Sequence, residues 1–587
     1  MAKVKLSDYV ISFLAEHEVG YVFGYIGGAI THLVDSASKN RKIKFIQVYH
    51  EQTASIAAEG YARQTGNIGV AAATSGPGAT NMVTGIADAY FDSIPTIYLT
   101  GQVNTYEYKY DKKVRQQGFQ ETDIVSIVKP VTKYAKLVDK PEEIRFELEK
   151  AFYLAKEGRP GPVLLDLPMD IQRAEIDPGK LKKFIPEKSL PKELNLLKIK
   201  KMLEKSSRPI ILAGGGAVNS GAEKELFRFA KKNNIPVVTS LMGKGSFPEE
   251  HSLFIGMIGS YGNRAANIAL SNADLLLAIG SRLDTRQVGT NLKSFLRSGR
   301  IVHIDIDKNE LKHNRLNGRI TLNIDAKNFL KKINDLKIEK RDRPLWVSYI
   351  KKITAIYNQK VESERRCPNK TPYDLMEVLN KVSLKDQIFT VDIGQNQMFA
   401  GQGLTIRERQ RFYTSGGMAP MGYAMPVAIG ASFADKKKKI IAITGDGGFH
   451  ISTQSLMLIS QYNLPIKVII LNNASLGMIV QFQDLYFDSN EVATTKSGGY
   501  LVPDFKAMSA AYGLPFIKIG DLSRQRKRLE EALASPGGMI IEVNTGGKTI
   551  VAPKLEVNCP IEDMNPRLDK AELRDNMIID LFGEGKE

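Results

Sequence analysis

The stretch IAITGDGGFHISTQ, Ile441–Gln454, runs an apolar segment into a Gly-Asp-Gly-Gly turn, and after 24 intervening residues beyond Gly447 comes NNASLGM, beginning at Asn472. Asp446 offers a hard anionic oxygen and Asn473 an amide oxygen, a pair suited to octahedral Mg²⁺ completed by phosphate oxygens and water. Backbone N–H groups at Gly447 and Gly448 can face phosphates where a helix begins. Alone, Gly-Asp-Gly is also a common tight turn. A Walker A loop needs Gly-Lys-Ser/Thr and a dinucleotide fingerprint needs G-x-G-x-x-G, and this stretch has neither. The distant asparagine favours a cation-assisted diphosphate site, provided both loops leave the same edge of a parallel sheet.

The elements that must position them repeat through the chain. Three segments share one pattern of apolar strand, glycine turn, helix-length stretch and a proline-led second strand: AAATSGPGATNMVTGIADAYFDSIPTIYLTG, IILAGGGAVNSGAEKELFRFAKKNNIPVVTS and IIAITGDGGFHISTQSLMLISQYNLPIKVIILNN. The glycines allow tight turns, and Pro95, Pro236 and Pro465 pre-set the chain entering the second strand. Such crossovers build parallel sheets covered by helices. The expected fold class is therefore α/β, with three doubly wound parallel-sheet domains. Composition shifts at IDPGKLKKFIPEKSLPKE, from Ile176, and at RRCPNKTPYD, ending at Asp374, mark the joints. The expected domains are 1–175, 190–345 and 370–550, followed by a tail at 551–587.

With 587 residues, 43% hydrophobic and 25% charged, the chain reads as multidomain and globular. Its apolar runs are strand-sized, which argues against a membrane protein, and the N-terminus reads as an amphipathic helix rather than a signal segment. Cys367 and Cys559 are the only cysteines and match no metal spacing, in keeping with a cytoplasmic setting. The net charge of +17 raises the question of nucleic acid, but the cations are scattered and the densest run, Lys436–Lys439, precedes a strand. No nucleic-acid motif is present, so the charge fits capture of anionic substrates better.

Gly445-Asp446-Gly447 with its distant Asn472-Asn473 resembles the thiamine diphosphate motif. YVFGYIGGAI, HEQTASIAAEGYARQTG, TSGPGATNMVTGIADAYFDSIP, GRPGPVLLDLP, HIDID and SGGMAPMGYAMPVAIGA extend the resemblance, in order, to the catalytic large subunit of the acetohydroxyacid (acetolactate) synthase family. It implies thiamine diphosphate, Mg²⁺ and FAD as cofactors, pyruvate and a second carbonyl compound as substrates, and a site completed between subunits of a homodimer or homotetramer, with a regulatory small subunit as a further partner. Metal contacts fall on Asp446, Asn473 and the carbonyl of Ser475. Glu51 matches the acid that hydrogen-bonds the pyrimidine, while Gly28 and Gln120 match the reaction-centre lining. Cofactor contacts fall on Gln395, Asn396, Gly447 and Gly448, with Met421 as the apolar prop. The flavin positions are Arg159, Gly215, Ser240, Leu241, Gly259, Arg282, Asp284, Asp305, Ile306 and Asp325, and Gly416 and Gly417 are further cofactor-binding positions. Lys133, Arg286, Met478 and Phe482 match substrate-side positions.

Several residues depart from the family. Asn396 stands where histidine is more usual, Ile26 replaces a proline, and Phe482 replaces a tryptophan, losing ring width and an N–H donor. VNTYEYKYDKKVRQQGFQE is longer than the family's channel segment, and loops of this kind tolerate insertion and often set specificity. The tail NPRLDKAELRDNMIIDLF also diverges and is expected to form a closing helix. Two carboligase readings follow: 2-acetolactate formation from two pyruvates, or transfer to another acceptor such as an aldehyde or nucleotide-activated ketosugar. A pyruvate oxidase-type flavoenzyme and a non-catalytic homologue are the alternatives from other classes.

Overall fold

The computed structural model describes residues 3–186, 195–339 and 342–583, so the expected boundary at 190 lies outside the described residues. Three six-stranded sheets, each wholly parallel, follow one another along the chain. All three repeated segments form adjacent parallel strand pairs: Gly69–Ala73 with Thr96–Gln102, Pro209–Ala213 with Val237–Thr239, and Ile440–Gly445 with Ile466–Asn472. Leu275–Ile279 is buried along its whole length, as expected for strands covered on both faces.

Numbered within each domain, the N-terminal and C-terminal sheets have the same strand order, 2-1-3-4-6-5. The central sheet has the order 3-2-1-4-5-6, that of dinucleotide-binding folds. In each sheet the order reverses beside the first strand, and the crevice there is where open α/β folds bind ligands.

The two like domains pack through helices Glu51–Thr65 and Ala424–Ala434. These approach so closely that a Cβ on Gly60 would lie 2.1 Å from the Val427 carbonyl oxygen, and one on Gly430 1.8 Å from that of Ala57. Beside this contact lies a buried polar cluster. Glu59 is fully buried and neither carboxyl oxygen has a partner; burial, with Asp88 nearby, holds its pKa well above the carboxylate range. Burial and the neighbouring Asp92 push Asp88 up to about 8. Asp88 accepts the Ser415 hydroxyl, and Asp92 accepts backbone N–H groups of Gly416 and Gly417. The N-terminal domain thereby grips the loop that leads to Met421.

The central core extends past 345. Trp346, Ile350, Ile353 and Tyr357, on and just after helix Pro344–Ile356, join it, as do Leu555, Ile561, Leu568 and Leu573 of the tail. The fully buried Arg264 donates to Glu362 at 3.0 Å, the Met564 carbonyl at 3.0 Å and the Pro566 carbonyl at 2.7 Å. The tail forms the expected helix, and it packs on the central domain. The tail is a strap on the central domain, and its helix, Lys570–Asp575, buries Leu573 in that core. Among the described residues no helix is long and apolar enough to cross a membrane.

Candidate active site

Strand Ile440–Gly445 ends at the Gly-Asp turn and pairs in parallel with Ile466–Asn472, so Asp446 and Asn473 emerge at one sheet edge. Asp446 is 1% exposed; Oδ1 accepts the Tyr500 hydroxyl at 2.6 Å and Oδ2 has no partner. Burial raises its pKa. A buried carboxylate oxygen left unpartnered is costly unless something external binds it. Around it a cavity of about 240 Å³ is lined by Gly394, Gln395, Asn396, Met421, Gly445–Gly448, Asn473, Ser475, Met478 and Thr549, with Tyr261 and Arg286 from the central domain. A Cβ on Gly447 would lie 3.0 Å from the Met421 methyl and 2.8 Å from a Leu476 methyl, so only glycine keeps the turn this close. Gln395 accepts the Thr549 hydroxyl at 2.6 Å and donates to the Thr549 carbonyl at 2.7 Å, which fixes its side chain in the wall.

No group of three or more His, Cys, Asp or Glu gathers into a metal-holding cluster among the described residues. A cation at Asp446 would take its other ligands from amide, carbonyl, phosphate and water oxygens, which is magnesium-like chemistry. The residues present therefore fit Mg²⁺ with a diphosphate.

The N-terminal sheet builds a different edge. Glu51 opens helix Glu51–Thr65, is 7% exposed and accepts Asn81 Nδ2 at 3.0 Å. Its Oε1 lies 3.2 Å from where a Gly78 Cβ would sit, and Thr74 packs against the Cβ positions of both Gly78 and Gly27. A Cβ on Gly76 would lie 3.1 Å from the Gln120 carbonyl oxygen. Glu51, the Gly27-Gly28 turn and Gln120 thus gather around Thr74–Gly78. None of them lines the Asp446 cavity, whose wall contains no N-terminal-domain residue. The inserted segment beside Gln120 is held from beneath: the Glu121 carboxylate accepts backbone N–H groups of Lys109, Gln117 and Gly118.

The second cavity, about 390 Å³, opens at the reversal point of the central sheet. Arg159, Gly215, Ser240, Leu241, Arg282, Asp284, Asp305, Ile306, Asp325, Arg286 and Gly416 line it. Gly259 and Gly417 do not. Gly259, at φ +110, lets the chain pass the Arg286 carbonyl, and Gly417 takes its place in the grip of Asp92. Arg159 pairs at the rim with Asp307 and Glu310. Burial, opposed in part by a backbone N–H and Arg159, brings Asp305 to about 6. Lys133 lines neither cavity; its ammonium donates to the carbonyls of Glu157 and Arg159. Phe482 stands outside both linings and packs on Tyr486, ring centroids 4.8 Å apart.

Sequence reasoning missed Tyr500, Tyr261 and Asp392. Tyr261 lines both cavities. Asp392, 1% exposed, accepts backbone N–H groups of Ile393 and Gly422 and so ties the Met421 loop to the sheet. An acidic residue two places before a glycine at a strand end was the available signal for Asp392; nothing local marks the two tyrosines.

Two parallel sheets of one topology flanking a dinucleotide-type sheet, with a diphosphate-shaped edge, define a class of protein, and the comparisons agree with it. Models of the thiamine pyrophosphate enzyme N-terminal TPP binding domain, central domain and C-terminal TPP binding domain match residues 4–127, 196–333 and 392–543. The chain is 39% identical to the probable acetolactate synthase large subunit of Methanocaldococcus jannaschii, over 92% of each chain. It is 38% identical to the acetolactate synthase large subunit of Cyanidium caldarium, over 91% of this chain and 92% of that one. That of Corynebacterium glutamicum is 38% identical over 87% and 82%. The chain belongs to the acetolactate synthase large-subunit family of thiamine pyrophosphate enzymes.

Proposed function

We propose that the chain is a thiamine diphosphate-dependent acetolactate synthase that decarboxylates pyruvate and joins the remaining two-carbon unit to a second pyruvate or related 2-oxo acid, giving 2-acetolactate and CO₂ from two pyruvates. The unpartnered, buried Asp446 oxygen in its glycine-walled cavity carries this reading. Asp446, Asn473 and the Ser475 carbonyl would hold Mg²⁺, and Gly447, Gly448, Gln395 and Asn396 would hold the diphosphate. Bound thiamine diphosphate supplies the electron sink for decarboxylation and the carbon nucleophile for ligation. Glu51 holds a proton at the pyrimidine edge, Met421 supports the ring system, and Gly28 and Gln120 line the reacting centre. Arg286 engages the acceptor carboxylate.

Glu51 and Asp446 lie on separate edges of one chain, which supports a homodimer in which the N-terminal edge of one protomer meets the C-terminal edge of its partner. Phe119, 86% exposed, and Met421, 38% exposed, stand on those edges ready to be covered. The cavity at the central reversal point suits FAD. Carboligation has no net redox change, so the flavin's part is structural. The relatives' designation as large subunits supports a regulatory small subunit as a partner.

The test supplies pyruvate, Mg²⁺, thiamine diphosphate and FAD to the purified protein and identifies the products. We expect 2-acetolactate and CO₂. Pyruvate-dependent oxygen uptake without acetolactate would replace this reading with an oxidase, and a colourless yet active protein would remove FAD.

A further inference from the structure

Among the described residues, Lys554 is a buried cation that pairs with no carboxylate. Its residue is 8% exposed, and Tyr261, Phe482 and Tyr486 surround its ammonium, with ring centroids at 5.8, 5.9 and 5.9 Å. Burial lowers its pKa. The nearby Glu556 is engaged elsewhere, accepting Asn565 at 2.7 Å and pairing with Arg567 at 3.1 Å. Other deeply buried cations have polar partners: Lys244 pairs with Glu249, Arg264 with Glu362 and Arg63 with Asp92, while Lys467 donates to the Ser535 hydroxyl and the Pro536 carbonyl. Taking an ammonium out of water without an anion is costly, and aromatic faces offset only part of that cost.

Lys554 itself lines neither cavity, and main-chain hydrogen bonds fix it beside Tyr261, which lines both. The Pro553 carbonyl accepts Gln402, and Ala552 is bracketed by the Tyr373 hydroxyl. Lys554 exchanges two backbone hydrogen bonds with Asn565. Leu555 N–H donates to the Ser260 carbonyl at 2.7 Å, and Ser260 N–H donates to the Arg286 carbonyl at 2.7 Å. Lys554, Tyr261 and Arg286 are therefore stitched together by main chain. The Arg286 guanidinium lies 5.8 Å from the centroid of the same Tyr261 ring and makes no ion pair among the described residues; its near neighbour is Met398 Sδ at 3.8 Å. Two cations without carboxylates thus flank one ring that lines both cavities.

We infer that Lys554 is a second anion-binding residue of the acceptor site, contacting the carboxylate of the incoming 2-oxo acid together with Arg286 and so selecting anionic over neutral acceptors. This rests on the carboligase reading above. Phe482 and Tyr486 act as the apolar sleeve that holds the ammonium without neutralising it. The tail strap contributes to specificity by delivering Lys554.

The test compares wild-type holoenzyme with Lys554→Met, which keeps the stem and removes the charge, and with Lys554→Arg. The ratio of kcat/KM for 2-oxobutyrate to that for benzaldehyde as acceptor, with pyruvate as donor, is expected to fall about tenfold or more in Lys554→Met, through KM, and to recover in large part in Lys554→Arg. An unchanged ratio, or equal loss with both acceptors, would overturn the inference. Calorimetric binding of oxamate, an unreactive pyruvate analogue, to Mg²⁺- and thiamine diphosphate-loaded protein reads the same contact without turnover. Affinity about tenfold weaker in Lys554→Met supports it and equal affinity refutes it. Absence of carboligation by the wild type would instead count against the proposed function.

Discussion

The N-terminal and C-terminal domains share one strand order and pack helix to helix, yet their ligand edges have little in common. The C-terminal edge presents Asp446, with an unpartnered oxygen beneath a glycine turn. The N-terminal edge presents Glu51, already held by Asn81, around the glycines of Thr74–Gly78. Identical topology puts loops at equivalent places and leaves their chemistry open. One edge leaves a buried carboxylate oxygen without a partner, and the other holds its carboxylate through Asn81.

The largest effect should come from breaking each edge separately. Glu51→Gln should lower acetolactate formation about 10²–10⁴-fold, and Asp446→Asn should abolish Mg²⁺-dependent thiamine diphosphate binding. Mixing the two inactive proteins under subunit exchange should then restore activity, up to roughly a quarter of wild type, because half the dimers carry one intact site. No recovery would mean that both edges serve sites within single protomers.

Next in size is the joint between the like domains. Gly60→Ala places a methyl 2.1 Å from the Val427 carbonyl, and overpacking of this kind costs about 1–3 kcal/mol. A scanning calorimetry trace should show a lower apparent Tm; an unchanged Tm would show that the helices slide apart freely.

The buried cluster beside that joint should give a smaller, pH-dependent effect. Asp88 is raised in the folded state to about 8, so its contribution is fully present below the ordinary carboxyl range and is lost as pH rises through about 8. Apparent Tm should decline from pH 6 to pH 9 more steeply in wild type than in Asp88→Asn. Parallel pH profiles would assign the decline to other groups.

The smallest effect is expected at the Asp446 edge itself. Tyr500→Phe removes one hydrogen bond from Oδ1, worth about 1.5–3 kcal/mol to a charged acceptor before water replaces it. The Mg²⁺ concentration for half-maximal activity should shift severalfold with little change in kcat.

Much of this architecture was legible because parallel α/β units announce themselves locally. The glycine turns and x-Pro strand entries of the three repeated segments locate three strand pairs, and Asp446 with Asn473 needs only the inference that two loops share an edge. What escaped reading is non-local. Tyr500 lies 54 residues from Asp446, and no periodicity links them. The tail's amphipathic pattern says that Leu573 wants a core but not which core, so its attachment to the central domain was unreadable. Lys554 looked like one lysine among many, because the three rings around it come from two segments far from it in sequence, Tyr261 from one and Phe482 with Tyr486 from helix Gly477–Tyr486. Glu59 and Asp88 sit in helices whose sequence spacing does not reveal that a third domain buries them.

The attachment of the tail also bears on how the protein is made. All three sheets are complete by Asn544, whereas Ala552–Leu555 and the strap that follows are translated afterwards. At about 5–20 residues per second, a nascent chain spends seconds with all strands of its sheets translated and the strap of the central core still to be made. During that interval the groove awaiting Leu555, Ile561, Leu568 and Leu573 is an apolar surface open to chaperones or to wrong partners.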